Sequence, residues 1–142
     1  MVLISRATGF LMTYDLLLKF IYAIFIGVFG AVLLVMFFAG LMTVGSIERL
    51  LPFIIGFNAA LTGYNLIRRI KDHIKYKWLW SLISGIILVV GVTLILNISF
   101  YYLTGGYIVH MADFLFIASV GGVFGWLGSI LAIKSMDPTI TE

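Results

Sequence analysis

No cysteine occurs anywhere in the chain, which removes disulfides, thiolate metal sites, iron–sulfur clusters and cysteine nucleophiles together and leaves the redox compartment undetermined. Charge is nearly as scarce. Asp, Glu, Lys and Arg make up 11% of the 142 residues, whereas a soluble domain usually carries about a quarter. With 63% of its residues hydrophobic, the chain has too little polar surface to cover a globule in water, so lipid is the solvent the composition implies. The two prolines are read as boundary residues: Pro52 in the first turn of a helix, where a missing N–H costs nothing, and Pro138 in the Asp137-Pro138 step that stops the last one.

What charge there is avoids the middle third of every apolar segment. That absence weighs against proton-coupled transport, voltage sensing and retinal-type counter-ions, and the embedded first-helix carboxylate that a small multidrug-resistance transporter needs is missing. The two histidines, His73 and His110, fall on opposite faces of the expected topology and cannot sandwich one haem within a single chain. No Ser-His-Asp order, HExxH, Walker loop or dinucleotide fingerprint is present. No catalytic residue, cofactor or metal is therefore assigned, and the balance is against an enzyme.

The stretch 68–77 organises the rest. Arg68, Arg69, Lys71, Lys75 and Lys77 place five of the nine basic residues in one short loop between long apolar segments, the pattern of a cytoplasmic loop under the positive-inside rule. The net charge of +3 sits in this loop and at helix ends, where topology alone would put it, so nucleic acid is not expected as a partner.

Four segments are long enough to cross a hydrocarbon core of about 30 Å. The spacing predicts transmembrane helices over about 20–42, 50–67, 79–98 and 111–133, with Trp78 and Trp80 at an interface and an aromatic turn holding Tyr101, Tyr102 and Tyr107 at the opposite one. Residues 1–19 mix helically spaced apolar positions with Arg6, Asp15 and Lys19 and read either as an interfacial helix or as the lead-in to the first span. This segment does not read as a cleaved signal and is expected to remain. The expected architecture is all-α: one transmembrane domain over 1–142, a polytopic four-helix bundle in a lipid bilayer. Four crossings place both termini with the basic loop in the cytoplasm, putting Arg6, Lys19, Lys134 and the five loop cations inside and only Arg49 outside.

Lipid supplies no hydrophobic drive between helices, so small and polar residues report the packed faces. The fourth helix carries Ala118, Gly121, Gly122, Gly125, Gly128, Ser129 and Ala132 within about a third of its circumference. Narrower stripes run along the first helix, through Ala23, Gly27, Gly30 and Ala31, and along the third, through Ser81, Ser84, Gly85 and Gly91. Any one stripe fits packing within the chain; several in so small a protein point to a homo-oligomer or to unlike membrane subunits. In the second helix Asn58, Thr62 and Asn65 recur at i, i+4 and i+7 and make a polar seam. The seam is expected against the small face of the fourth helix, with Asn58 at the depth of Gly121 and Gly122 near the midplane and bonded across that face or to an intervening water.

At the outer face Glu48, His110 and Asp113 form a candidate cluster that could hold a divalent cation or work as an acid–base pair, although polar residues are ordinary at helix ends. Two main functional readings follow. The first is a small non-catalytic subunit or scaffold of a membrane assembly; the alternative is a homo-oligomeric transporter or channel lined by the polar face of the second helix. A lipid-acting enzyme built on Glu48, His110 and Asp113 stands third.

Overall fold

The computed structural model describes residues 2–70 and 76–136, with side chains from 14 onward. Four helices, α1 (Val2–Ala39), α2 (Val44–Ile70), α3 (Lys77–Thr104) and α4 (Met111–Met136), are joined by the short connections 40–43, 71–76 and 105–110. Each of the last three has 26 to 28 residues, about 40 Å at 1.5 Å per residue, so each crosses a hydrocarbon core with its ends in the headgroup layer.

The helices run further than the apolar segments alone suggest. The backbone of α1 is continuous from Val2, so residues 2–19 belong to the helix that crosses, and Lys19 pairs with Asp15 on its surface. α2 begins at Val44 because the Thr43 carbonyl accepts from the Ser46 and Ile47 N–H groups, and because Ile47 and Leu51, one turn apart, are both buried. Pro52 consequently lies inside α2 and not in its first turn, which corrects the sequence reading. It removes the donor that would meet the Glu48 carbonyl, at a level where headgroup water can replace it. α3 continues to Thr104, past Tyr101 and Tyr102, since nothing breaks it before Gly105. That glycine adopts φ 73°, ψ 7° and donates its N–H to the Tyr101 carbonyl at 2.9 Å, a left-handed cap that a side chain would strain.

Contacting residues give the directions. Gly27 meets Thr62 and Gly30 meets Asn58, so α1 is antiparallel to α2; Phe20 stacks edge-on against Trp80 and Val28 meets Gly91, so α1 is parallel to α3. Gly56 meets Phe124 and Gly128 meets Ala60, making α2 and α4 parallel. α2 and α3 form the central pair, and among the described residues α1 and α4 do not touch. The share of each span buried follows this order, from 56% in α2 and 44% in α3 to 33% in α4 and 28% in α1.

The apolar interior is in two parts. A large cluster toward the end opposite the basic one includes Ala31, Ile55, Leu88, Val92 and Ile117, and a smaller one near the basic end holds Phe20, Ala23, Leu66 and Ile70. Between them lies a belt of small and hydroxyl residues where backbones touch. A Cβ on Gly85 would overlap the Gly121 carbonyl oxygen, and one on Gly63 would overlap both Ser81 Oγ and the Gly125 carbonyl oxygen. Ser81 Oγ donates to that carbonyl at 2.6 Å. Close backbone approach with a hydrogen bond across it is how helices gain contact in lipid. At the basic end Arg69 lies 4.5 Å from the centroid of the Tyr22 ring and Arg68 5.7 Å from that of Tyr64, which keeps both guanidinium groups over aromatic faces at the helix ends.

Candidate functional site

Two polar pairs with the same spacing are set into the bundle, one on each central helix. On α2, Asn58 and Thr62 are 5% and 2% exposed and face α1, while Asn65, in nearly the same angular direction, is exposed. Asn58 Nδ2 donates to its own helix, at the Ile54 carbonyl (2.9 Å), and Oδ1 faces Gly30, where a Cβ would come within 2.8 Å of it. Thr62 Oγ1 is buried without a hydrogen-bond partner and lies against Gly27.

The expected pairing of Asn58 with Gly121 and Gly122 is corrected by this geometry. Gly121 packs on Gly85 and Val89, and Gly122 on Ile86 and Leu82, all of α3; Gly125 faces Ser81 and Gly85, and Gly128 faces Ala60 of α2. Ala132 is fully buried. The reason lies on α2 itself, whose α4-facing side is made of Gly56, Ala60 and Gly63, and at 100° per residue that side is about 140–200° from Asn58. The small face of α4 does meet α2, but on the side away from the amide.

On α3 the corresponding pair is Thr93 and Asn97, which the sequence reading did not single out. Asn97 holds the loop 105–110 against the helix: Oδ1 accepts from the N–H groups of Ile108 (3.2 Å) and Val109 (2.9 Å), and Nδ2 donates to the Val109 carbonyl (3.0 Å). Three backbone groups are thereby satisfied, and Ile108 and Val109 are buried. Thr93 is 8% exposed, and its Oγ1, like that of Thr62, has no partner. Both residues line a cavity of about 510 Å³ at the end of the bundle away from Arg68 and Arg69, together with Tyr107, His110, Leu94 and Phe114. The available signal was the i, i+4 spacing of two polar residues in an apolar helix, the pattern already noticed on α2.

Glu48, His110 and Asp113 are all exposed, and no hydrogen bond or ion pair joins their side chains among the described residues. Those residues contain no group of three His, Cys, Asp or Glu side chains placed to hold a metal ion. His110 belongs instead to the rim of the cavity under Asn97. His73, Lys71 and Lys75 of the basic loop, and the Asp137-Pro138 stop, lie outside the described residues.

Four helices of this length and hydropathy, packed as an all-α bundle, define a polytopic membrane protein. Compared with protein-family models, curated proteins and solved structures, the chain matches none of them.

Proposed function

We propose that this protein is a small non-catalytic subunit or scaffold of a membrane assembly, in contact with further copies or with unlike membrane subunits. One observation favours this over a transporter or channel lined by the polar face of α2. Asn58 and Thr62 are covered by Gly30 and Gly27 of the same chain, so closely that a methyl group on Gly27 would overlap Thr62 Oγ1. A face sealed by α1 cannot border an aqueous path unless α1 leaves it. The least buried helix, α1, offers the surface for partners, with Phe25 and Phe29 stacked at 6.5 Å on its exposed side. In the orientation we infer, the end bearing Lys19, Arg68, Arg69, Lys77 and Lys134 is cytoplasmic and that bearing Arg49 is external.

The test is extraction of the tagged chain in a mild detergent, with identification and stoichiometry of whatever accompanies it. Unlike subunits in fixed ratio support the reading. A discrete homo-oligomer that passes solute in proteoliposomes, and loses that flux on Asn58→Leu, overturns it.

A further inference from the structure

The cavity beside Asn97 is not used by the packing of the bundle, and its chemistry is one-sided. Its volume of about 510 Å³ falls in the range of small-molecule sites, which is usually about 300–1,000 Å³. Leu94, which forms part of its wall, is 57% exposed, so the cavity opens sideways toward lipid. The polar lining is at two depths. Tyr107 and His110 belong to the connection at the helix ends, and Thr93 lies one turn of α3, about 6 Å, deeper than Asn97.

The polar lining is only partly committed to hydrogen bonds within the chain. Asn97 Oδ1 already accepts two N–H groups, which uses its two lone pairs, while Nδ2 has made one of its two donations. Thr93 has a free hydroxyl: threonine in a helix commonly donates back to the carbonyl one turn earlier, here Val89, and this one does not. Oγ1 is itself covered by its neighbours, but threonine has two accessible χ1 rotamers in a helix, so rotation about χ1 can answer an acceptor offered in the cavity. The side chains of Tyr107 and His110 make no hydrogen bonds among the described residues. Each uncommitted group can donate, the remaining Asn97 amide hydrogen can only donate, and Asp113, in the first turn of α4, disfavours an anion close by.

We propose that this cavity binds a bilayer-dissolved amphiphile whose apolar body lies along Leu94 and Phe114 and whose neutral carbonyl oxygen accepts from the Thr93 and Asn97 side chains. Two sources share that chemistry, the ester of a membrane glycerolipid and the ketone of a lipophilic ring compound. Entry is lateral, from the hydrocarbon.

The full chain, purified in mild detergent, is titrated with monoolein, with decylubiquinone and with dodecane, which has the apolar body and no oxygen; thermal unfolding is the readout. At least one carbonyl probe should raise the unfolding temperature saturably while dodecane does not, and the tighter of the two identifies the source. Thr93→Val should weaken the effective probe about three- to tenfold, as expected for one hydrogen bond, and Thr93→Ser should retain binding within about twofold. Leu94→Trp, at a lipid-exposed position that leaves the bundle contacts alone, should abolish the shift by filling the cavity; it serves as the test if Thr93→Val fails to fold. The proposal is overturned if neither carbonyl probe exceeds dodecane, if folded Thr93→Val binds as the parent does, or if Leu94→Trp leaves the shift unchanged.

Discussion

Ser81 Oγ of α3 donates a 2.6 Å hydrogen bond to the carbonyl oxygen of Gly125 in α4, and Gly63 of α2 lies against both atoms. Three helices meet at one point because two of the three residues have no side chain and the third has a short one. A hydrogen bond between helices in lipid contributes about 1 kcal/mol or somewhat less, so most of the value of this junction is in the backbone contact that the glycines permit.

The damage from substitutions should follow that division. Ser81→Ala loses the bond alone and should lower stability by about 1 kcal/mol. Gly85→Val and Gly125→Leu force α3 and α4 apart, since a Cβ at Gly85 overlaps the Gly121 carbonyl and one at Gly125 would come within 2.7 Å of the Ser81 carbonyl oxygen; a loss of about 3 kcal/mol is expected. Asn58→Leu loses a bond within its own helix and should be the mildest. Thermal unfolding in detergent ranks the four, and a ranking with Asn58→Leu at the top would contradict the packing described.

Thr62→Val should be neutral or stabilising by up to about 1 kcal/mol, because it removes a buried hydroxyl that has no partner while keeping a branched side chain against Gly27. The same measurement decides it. Clear destabilisation would mean that Thr62 Oγ1 is bonded in the bilayer, to water or by another rotamer.

Asn97→Leu should do more harm than any other single change to a polar residue outside the central junction. It leaves the Ile108 and Val109 N–H groups and the Val109 carbonyl without their partner at a part-buried position, for a cost of about 2–3 kcal/mol. Amide hydrogen exchange should rise locally over 105–110 while the centres of α2 and α3 stay protected. Unchanged exchange in that loop would show that Asn97 does not hold it.

The orientation is tested by labelling. Cysteines introduced at Ser46 and Thr104 should react with a membrane-impermeant reagent added to intact cells, and cysteines at His73 and Thr139, which lie outside the described residues, should not. The reverse pattern would invert the topology. Because the chain has no cysteine of its own, no background substitution is needed.

The number of helices and their membrane character were legible in the sequence, since long uncharged runs separated by short polar ones have few other solutions in lipid. Their ends were less so. The apolar runs stop at the edge of the hydrocarbon, but hydrogen-bonded backbone continues until something ends it, as Gly105 does for α3 and the Thr43 carbonyl begins α2. Pro52 was misread for the same reason, with its helix starting two turns earlier than the apolar run.

Partner choice was decided by tertiary structure alone. The 3.6-residue period marks a small or polar face on a helix but does not say which neighbour that face meets. On α2 two such faces lie back to back, Gly56-Ala60-Gly63 toward α4 and Asn58-Thr62 toward α1, and it is the glycine face on the far side from the amide that meets the small face of α4. In water, burial would have separated an inner from an outer side; in lipid both faces are equally free of a hydrophobic gradient, and only the fit of backbone to backbone distinguishes them. The cavity is a tertiary product in the same sense. Composition placed Thr93 and Asn97 one turn apart in an apolar helix, and it took the returning loop of Ile108 and Val109, held by Asn97, to bring Tyr107 and His110 to them.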